Sequence, residues 1–228
     1  MTGVQTCALP IYSNLVVAVF DFDGTLTVAD SLLPFLREVA GRWRFWIGMV
    51  LLSPVFAAGG LGLMRRERLK EKLLREFLRG RTRMELEPVI ARFIERRLQD
   101  LLNPRAMERL RQHQAQQHRI ILLSASPELY LQPWAAKAGI AEVIATRLET
   151  ISGTFTGRFD RLNCRGPEKV ERLRAHLGDL SGYSIHAYGD SPSDRVLLER
   201  VEFGHYRTFT GGCLDRCRAV ARFGKALV

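Results

Sequence analysis

The chain has 228 residues, of which 46% are hydrophobic and 25% are charged. This composition is typical of a globular protein with a sizeable core, and it excludes the disordered and fibrous classes. The formal net charge of +10 favours a negatively charged partner: a phosphorylated substrate, an anionic lipid surface or nucleic acid. Because no nucleic-acid-binding motif is present and aromatic residues are not interleaved with basic ones, nucleic acid is not expected.

The N-terminal residues 1–11 resemble the translation of a sequencing adapter, so we exclude them from the expected fold as an artefact. The cysteines that follow are Cys164, Cys213 and Cys217, a sparse and odd-numbered set without paired-ligand spacing. Neither a disulfide framework nor a zinc site is expected from this set. Such cysteine usage is typical of a reducing compartment, and the sequence therefore predicts a cytoplasmic protein.

Three apolar segments are predicted to be strands, namely Leu15–Phe20, Ile120–Leu123 and Tyr183–Tyr188. The first is an unbroken run of the kind found in parallel strands that are buried on both faces. The alternating segment Arg147–Phe159 is predicted to be a hairpin that turns at Ser152-Gly153. Each of the three strands ends in a polar or acidic cluster. Since ligands bind at the carboxyl ends of strands in open α/β sheets, we expect the three clusters to meet in one crevice.

The segment between the first and second strands carries only helical signals. Apolar residues recur at helical spacing through residues 30–102. Asn103-Pro104 then predicts the start of a helix, because Pro is favoured in the first helical turn. The predicted fold class is α/β, with a Rossmann-like parallel-sheet core of residues 12–29 and 103–228 and an inserted helical cap of residues 30–102.

Two carboxylates, those of Asp21 and Asp23, follow the first predicted strand. Because strand side chains alternate, residues two apart project to the same side and can reach a common volume. Carboxylate oxygens suit Mg²⁺, which commonly takes one or two carboxylates together with substrate phosphate. Two alternatives are a loop with turn-forming aspartates and an EF-hand. The polar ends of the other strands argue against both, and the EF-hand ligand spacing is missing.

Taken with the other strand ends, the sequence resembles the haloacid dehalogenase superfamily of phosphatases. The resemblance covers the chain from Leu15 to about Glu199 and rests on four motifs in their expected order. The motifs are Asp21-Phe22-Asp23-Gly24-Thr25-Leu26-Thr27, Ser124 at the end of its strand, Lys169 in Gly166-Pro167-Glu168-Lys169-Val170, and Gly189-Asp190-Ser191-Pro192-Ser193-Asp194.

The resemblance implies a catalytic or phosphate-binding role for five residues. Asp21 would be the nucleophile that receives the phosphoryl group. Asp23 would protonate the leaving oxygen and later activate water. Ser124, Lys169 and Gly24 would bind the phosphate, for which a lysine point charge early in a helix is well suited.

The resemblance also implies a Mg²⁺ site. Asp190 would complete it together with Asp21 and the backbone carbonyl of Asp23, and Asp194 would support it from outside or through water. Phosphoryl transfer passes through a loose transition state, so positioning and charge neutralisation supply most of the acceleration. Mg²⁺ and Lys169 would provide that neutralisation.

Several other polar residues are expected to be structural. Ser126, before Pro127, is predicted to be a helix N-cap rather than a nucleophile. Asp30-Ser31 is interpreted first as a cap, with a substrate contact as the alternative. Cys164 and His186 are expected to be buried residues without a catalytic role.

Residues 45–64 form a run of 20 residues without a charge. A straight helix of this length would be about 30 Å long, which is enough to span a bilayer. A single crossing, however, would separate Asp21 from the later motifs. Pro54 and the glycine cluster at residues 59–62 predict a break instead. Two alternatives stay open: a re-entrant or interfacial helical hairpin, and two helices buried in the cap.

The stretch from Arg65 to Arg83 holds nine Arg or Lys residues against three Glu. Such a run is typical of a solvated helix face, and beside an apolar hairpin it also suits anionic headgroups. The arrangement is similar to the phosphoserine-phosphatase-like branch of the superfamily, which includes a bacterial phosphatidylglycerophosphate phosphatase with a comparable apolar segment. The fourth motif lacks the Gly-Asp-Gly form of phosphoserine phosphatases proper, which argues against phosphoserine itself.

The predicted activity is Mg²⁺-dependent phosphomonoester hydrolysis through an aspartyl phosphate. A phospholipid phosphate such as phosphatidylglycerophosphate is the favoured substrate, and an anionic surface at the cytoplasmic membrane face is a predicted partner. Three alternatives stay open: a soluble small-molecule phosphatase, a phosphotransferase, and an inactive membrane-docked binding protein. The last would be expected to have lost a catalytic carboxylate or the lysine, and the sequence retains them all.

Overall fold

A computed structural model describes residues 15–61, 63–210 and 218–219. The artefact assigned to residues 1–11 and the cysteines Cys213 and Cys217 lie outside the described residues. The strands, numbered in chain order, are β1 (Leu15–Phe20), β2 (Arg119–Pro127), β3 (Glu142–Thr146), β4 (Leu148–Ile151), β5 (Thr154–Phe159), β6 (Tyr183–Gly189), β7 (Phe203–Tyr206) and β8 (Arg218–Ala219).

The main sheet has the order β3-β2-β1-β6-β7-β8, in which only the β7–β8 pairing is antiparallel. The first strand, β1, lies between β2 and β6, so its apolar run is covered on both edges and both faces. Val17 and Val19 pack into one buried cluster, and Ala18 and Phe20 pack into the other. This alternation confirms a doubly covered parallel sheet, and with it the predicted α/β class.

Four α-helices among the described residues belong to the sheet core. They are α7 (Pro104–Ala115), α8 (Glu128–Lys137), α9 (Pro167–Leu177) and α10 (Arg195–Leu198). The side chain of Asn103 caps α7 by accepting a hydrogen bond from the backbone N–H of Arg105 at 3.1 Å, and Pro104 is the first residue of that helix. The helix start predicted at Asn103-Pro104 is therefore confirmed.

Between β1 and β2 the chain forms a helical insertion. It consists of α1 (Leu32–Ala40), α2 (Arg42–Leu51), α3 (Ser53–Gly60), α4 (Arg66–Leu78), α5 (Arg83–Arg92), a wide helical turn (Phe93–Leu98) and α6 (Gln99–Leu101). Thr82 and Glu85 form a reciprocal capping box at the start of α5. Phe35 and Phe93 of the insertion pack against Tyr130 of α8, so the insertion shares one core with the sheet.

The predicted hairpin is confirmed by β4 and β5, which pair antiparallel. Its turn uses Ser152 and Gly153, whose φ angles of 49° and 78° are both positive, as hairpin turns of this kind require. The hairpin also contacts the helical insertion, because Gly80 N–H donates to the carbonyl of Phe155 at 2.8 Å. A Cβ on Gly157 would lie 2.2 Å from Cα of Arg75. A glycine is therefore needed for the hairpin to approach α4.

The apolar run of residues 45–64 is divided between α2 and α3. Among the described residues, no single helix has the length and hydropathy to cross a bilayer, and these two meet that test only as a pair bent by 53°. The expected break is therefore present. The alternative that both helices are buried in the cap is wrong. Helix α3 buries none of its residues, and α2 buries only Phe45 and Gly48.

Candidate active site

The end of β1 directs two carboxylates to the carboxyl edge of the sheet. Asp21 is fixed by its own backbone, because its N–H donates to the carbonyl of Tyr188 at 3.0 Å. Its side chain accepts a hydrogen bond from the N–H of Phe22 at 2.7 Å. The chain then makes a short helical turn (Phe22–Leu26) that is interrupted at Asp23 and at Gly24, whose φ is 79°. The first motif therefore forms a turn rather than a continuation of the strand.

A buried lysine joins the first and fourth motifs. Nζ of Lys169, from the first turn of α9, lies 2.8 Å from Oδ1 of Asp21 and 2.7 Å from Oδ1 of Asp194. Its side chain is only 2% exposed. Burial disfavours the ammonium, but the two carboxylates outweigh this effect and raise the pKa of Lys169 above its usual value. The two carboxylates therefore favour the charged form of Lys169 within the site.

The carboxylates of Asp21, Asp190 and Asp194 form a candidate metal site. One oxygen from each lies within 4.8 Å of the others, and an all-oxygen donor set of this kind suits Mg²⁺. A Cβ on Gly24 would lie 2.3 Å from Oδ2 of Asp190, so the missing side chain opens the space that Asp190 occupies. The carboxylate of Asp23 is not part of this cluster. The sequence predicted that Asp23 would contribute only its backbone carbonyl to the metal.

The acidic cluster is electrostatically costly without a cation. Burial raises the pKa of Asp21 to about 7, and the carboxylates of Asp194 and Asp23 add to the rise while Lys169 opposes it. Burial and Asp194 likewise raise the pKa of Asp190. A divalent cation between these groups would favour their charged forms. The residues present therefore fit the metal that the sequence predicts.

Asp23 has a different environment from Asp21. Its Oδ1 accepts a hydrogen bond from the N–H of Ser31 at 2.8 Å, and its Oδ2 accepts a short one from the hydroxyl of Ser126. Burial raises the pKa of Asp23, Asp30 adds to the rise, and the two serines oppose it. A carboxyl group held towards its neutral form at the pocket is suited to donate a proton.

Ser126 corrects one prediction made from the sequence. It was expected to be a helix N-cap, but the residue at that position of α8 is Pro127, and no side chain caps the helix there. β2 continues through Ser124 to Pro127 instead, and the alternation of this longer strand turns Ser126 towards Asp23. Spacing alone could not distinguish these outcomes, because Ser-Pro-Glu is also a common helix start.

The pocket formed at this edge has a volume of about 290 Å³. The helical insertion contributes basic side chains that the sequence did not single out individually. Nζ of Lys70, on α4, donates to the carbonyl of Ala125 at 2.5 Å; burial lowers its pKa, while Asp23 and Asp30 oppose the shift. The pocket is lined by Asp21, Asp23, Asp30, Arg66, Lys70, Ser124, Ala125, Ser126, Asn163, Arg165, Lys169, Ser191 and Ser193.

The remaining sequence candidates also have defined places. Ser124 lines the pocket and is 1% exposed, and its hydroxyl accepts a hydrogen bond from the N–H of Ser126 at 3.1 Å. Asp30 caps α1 by accepting a hydrogen bond from the N–H of Leu32 at 2.9 Å, and it lines the pocket as well. Cys164 is buried as expected. His186 is only half-buried, stacks on Phe203 and has a ring nitrogen 3.4 Å from that of His205, so it has partners but is not fully in the core.

Gly24→Ala is expected to impair metal binding more than folding. The added methyl would meet the Asp190 carboxylate, and the φ of 79° is strained for alanine. We expect the Mg²⁺ concentration needed for half-maximal activity to rise by about ten-fold or more, since an interaction worth about 1.4 kcal/mol changes affinity ten-fold. Titration of activity with Mg²⁺ checks this, with Gly178→Ala as the control: it has a similar φ of 79° but open space around it. Equal Mg²⁺ requirements in both variants would contradict the assignment.

Ser126→Ala is expected to move the titration of Asp23. Losing the hydroxyl removes a hydrogen bond that stabilises the carboxylate, so the pKa of Asp23 should rise further. The limb of the pH–rate profile that reports Asp23 should then move to higher pH. Ser193→Ala, which changes a serine of the same pocket that bonds to Ser191, is the control and should leave that limb in place. An unchanged profile in Ser126→Ala would show that its contact with Asp23 has no catalytic consequence.

Comparison with known proteins places this geometry in a known group. A family model described as haloacid dehalogenase-like hydrolase matches residues 18–199. Protein CicA of Caulobacter vibrioides is 38% identical over 202 residues, which are 88% of this chain and 89% of that protein. Phosphoserine phosphatase SerB1 of Mycobacterium tuberculosis is 26% identical over 192 residues, which are 81% of this chain and 62% of SerB1.

Solved structures show the same fold. A protein of unknown function from Bordetella pertussis Tohama I superposes with a TM-score of 0.75 at 25% identity, over 85% of this chain and 89% of that chain. A phosphoserine phosphatase that carries a phospho-aspartyl intermediate analogue superposes with a TM-score of 0.56 at 18% identity, over 85% of each chain.

Proposed function

This chain belongs to the haloacid dehalogenase-like hydrolase family and is a phosphatase of that family, and we propose that it hydrolyses phosphomonoesters with Mg²⁺ through a phosphoryl group carried on Asp21. One observation supports this most strongly. The Asp21 carboxylate lies 2.8 Å from a buried lysine and shares an acidic cluster with Asp190 and Asp194. A nucleophile and the charges that neutralise a phosphate therefore share one pocket.

The first step uses the two carboxylates of the first motif in different roles. An oxygen of Asp21 attacks phosphorus and forms an acyl phosphate, while the bond between phosphorus and the ester oxygen breaks. The carboxyl group of Asp23 donates its proton to the departing oxygen, so that the product leaves as an alcohol. Lys169 and Ser124, which line the pocket beside Asp21, would bind the phosphate oxygens, and the carboxylates around Lys169 raise its pKa and so favour its charged form.

The second step regenerates the enzyme. Asp23, now a carboxylate, takes a proton from a water molecule, and the oxygen of that water attacks phosphorus. The bond between phosphorus and Asp21 breaks, inorganic phosphate leaves, and both carboxyl groups return to their starting forms. Mg²⁺, held by Asp21, Asp190 and the carbonyl of Asp23 with support from Asp194, would supply the charge that offsets repulsion between the nucleophile and an anionic phosphate.

We assign residues 12–29 and 103–228 to the catalytic core and residues 30–102 to a cap over it. The support for this division is the pocket lining, since the insertion supplies Asp30, Arg66 and Lys70 beside the catalytic groups. Contact of the Lys70 ammonium with the carbonyl of Ala125 ties the cap to the end of β2. Substrate selection therefore depends on the insertion more than on the shared motifs.

A lipid phosphate is the substrate class that we favour. Besides Lys169, three basic side chains line the pocket, namely Arg66, Lys70 and Arg165. Arg66, Lys70 and Arg165 could pair with a second negative charge near the phosphomonoester, and phosphatidylglycerophosphate carries such a charge on its phosphodiester. We place the enzyme at the cytoplasmic membrane face, in contact with anionic lipid. A small soluble phosphomonoester, including one similar to phosphoserine, is the second candidate, because SerB1 is named for that activity.

Two other activities would use the same fold. A phosphotransferase would pass the phosphoryl group from Asp21 to an alcohol instead of water, with the same residues. An inactive membrane-docked binding protein is disfavoured, because the catalytic candidates are all retained: Asp21, Asp23 and Lys169 line one pocket, and Asp190 lies in the carboxylate cluster of Asp21. Product analysis in the presence of an added alcohol separates the transferase from the hydrolase.

Release of inorganic phosphate from a substrate panel tests the proposed function. The panel holds phosphatidylglycerophosphate in mixed micelles, phosphoserine and simple aryl or alkyl phosphates, each with Mg²⁺ and with EDTA. We expect release that requires Mg²⁺ and is fastest with the lipid phosphate. Failure of every phosphomonoester, or full activity in EDTA, would overturn the proposal. Faster release from phosphoserine would replace only the substrate class.

A further inference from the structure

The outer face of α2 is apolar and exposed to solvent. Trp43, Ile47 and Val50 are 80%, 60% and 69% exposed, and their spacing places them on one face of the helix. Exposed apolar residues continue beyond α3, at Leu61 and Leu63. Apolar patches of the kind that α2 presents mark interaction sites. The apolar α2 surface, as we name it, consists of Trp43, Trp46, Ile47, Val50 and Leu51.

The inner faces of the same helices hold this surface in place. Phe45 stacks on Phe77 of α4 with 5.4 Å between ring centroids. A Cβ on Gly48 would lie 2.7 Å from Cζ of the same phenylalanine, and one on Gly59 would lie 3.5 Å from Cδ2 of Leu69. Both helices therefore pack closely on α4. The exposed apolar side chains of α2 therefore belong to a helix whose opposite face is packed on α4.

Charge around the surface indicates what covers it. Residues 39–66 contain no Asp or Glu. Arg42 and Arg44 at the start of α2, and Arg65 and Arg66 after α3, are all exposed. In a symmetric pair of chains that met through this surface, these arginines would face one another and repel. An anionic bilayer fits both the exposed arginines and the exposed apolar side chains, since its headgroups attract arginine and its interface favours tryptophan.

The lengths of α2 and α3 limit how deeply either helix can insert into a bilayer. Helix α2 has 10 residues and α3 has 8, so each is at most about 15 Å long. Neither helix alone reaches across a hydrocarbon core of about 30 Å. The two have the length and hydropathy of a membrane span only together, and the 53° bend between them favours an arrangement in the interfacial plane.

We propose that α2 is a membrane-docking helix, whose apolar α2 surface enters the headgroup region of an anionic bilayer while the bent α2–α3 segment lies along the interface without crossing it. Docking would bring the pocket close to the headgroups, because Leu61 and Leu63 are followed directly by Arg66 and Lys70, which line it. The surface itself is argued independently of catalysis; only the delivery of a lipid phosphate to Asp21 rests on the proposed function.

Flotation with vesicles tests the docking surface. The full chain is mixed with phosphatidylglycerol-containing vesicles or with matched phosphatidylcholine vesicles, and the bound fraction is measured at low and high salt. The test variant is Trp43→Ser/Ile47→Ser/Val50→Ser. The control is Met84→Ser/Leu162→Ser, which removes side chains that are 77% and 71% exposed elsewhere on the surface.

We expect the wild type and the control to float with anionic vesicles, less so at high salt and on phosphatidylcholine. The triple variant should bind at least about ten-fold more weakly, since each large apolar side chain adds appreciably to interfacial burial. Its hydrolysis of a small soluble phosphomonoester should be unchanged, which also shows that it folds.

Three results would overturn the inference. These are failure of the wild type to float with anionic vesicles, equal flotation of the triple variant and the wild type, and a dimer in sedimentation that only the triple variant loses. The last result would assign the surface to a second copy of the chain. Loss of soluble-substrate hydrolysis in every protein would instead overturn the proposed function and leave the flotation result intact.

Discussion

Asp21→Asn is expected to lower kcat by at least about 10³-fold on any phosphomonoester, in line with the loss seen when a catalytic nucleophile is removed. The amide keeps the shape of the side chain but cannot form the acyl phosphate. Folding should be little affected, because the variant removes a carboxylate whose burial is costly and because Lys169 keeps its contact with Asp194 at 2.7 Å.

Asp30→Asn is the matched control for this experiment. Asp30 is a carboxylate of the same pocket, and its hydrogen bond to the N–H of Leu32 can be kept by the amide oxygen. Its kcat should stay within about ten-fold of the wild type, the amount by which a modest change of local charge affects a rate. Substantial turnover by a pure, folded Asp21→Asn protein would remove Asp21 as the nucleophile.

Lys169→Met is expected to abolish measurable activity and also to destabilise the protein by about 3–5 kcal/mol, the usual cost of removing one partner of a buried ion pair. The ammonium is 2% exposed and lies within 2.8 Å of two carboxylates. Without it, Asp21 and Asp194 are buried and uncompensated. Methionine fills much of the volume, so a cavity contributes little to the loss.

The pH dependence of this loss has a defined sign. Burial already raises the folded-state pKa of Asp21 above that of the unfolded chain, and removing the Lys169 ammonium raises it further. The same change removes the main charge that lowers the pKa of Asp194, so its pKa rises as well. A group with a raised folded pKa binds its proton more tightly in the folded state, so its contribution to stability is present at low pH and is lost as pH rises. In EDTA, the stability deficit of Lys169→Met should therefore be larger at pH 8 than at pH 5.

Lys137→Met is the control for stability. Lys137 forms an ion pair with Glu95 at 2.8 Å, but both side chains are more than half exposed, and such a surface pair contributes little. Chemical denaturation of the three proteins at both pH values gives the comparison. A Lys169→Met deficit no larger than that of Lys137→Met would mean that the buried ammonium does not hold the site together.

The sequence predicted the main strands and the gathering of the motifs because both depend on local patterns. An unbroken apolar run such as Leu15–Phe20 can be satisfied only in a strand that is covered on both sides, and its observed bounds match. Once the strands are parallel, their carboxyl ends share one edge. Asp21, Lys169 and Asp194 therefore come within ion-pair distance although they are far apart in the chain.

The remaining features depend on packing that a single sequence does not encode. The contact of Ser126 with Asp23 follows from the extension of β2 through residues that also fit a helix start. The place of Lys70 in the pocket follows from how α4 docks on the sheet, and it is one of many basic residues in its stretch. The exposure of Trp43 could not be told from burial, because an apolar helix is compatible with either.

The central claim is that the phosphoryl group is carried on Asp21, and trapping that species tests it most directly. Asp23→Asn should slow hydrolysis of the acyl phosphate because no base remains to activate water, while p-nitrophenyl phosphate needs no proton for its leaving group. After acid quenching of this variant with Mg²⁺ and p-nitrophenyl phosphate, peptide mass spectrometry should find one phosphoryl group on Asp21. A phosphoryl group on a serine or histidine, or none while p-nitrophenol is released in a burst, would contradict the account.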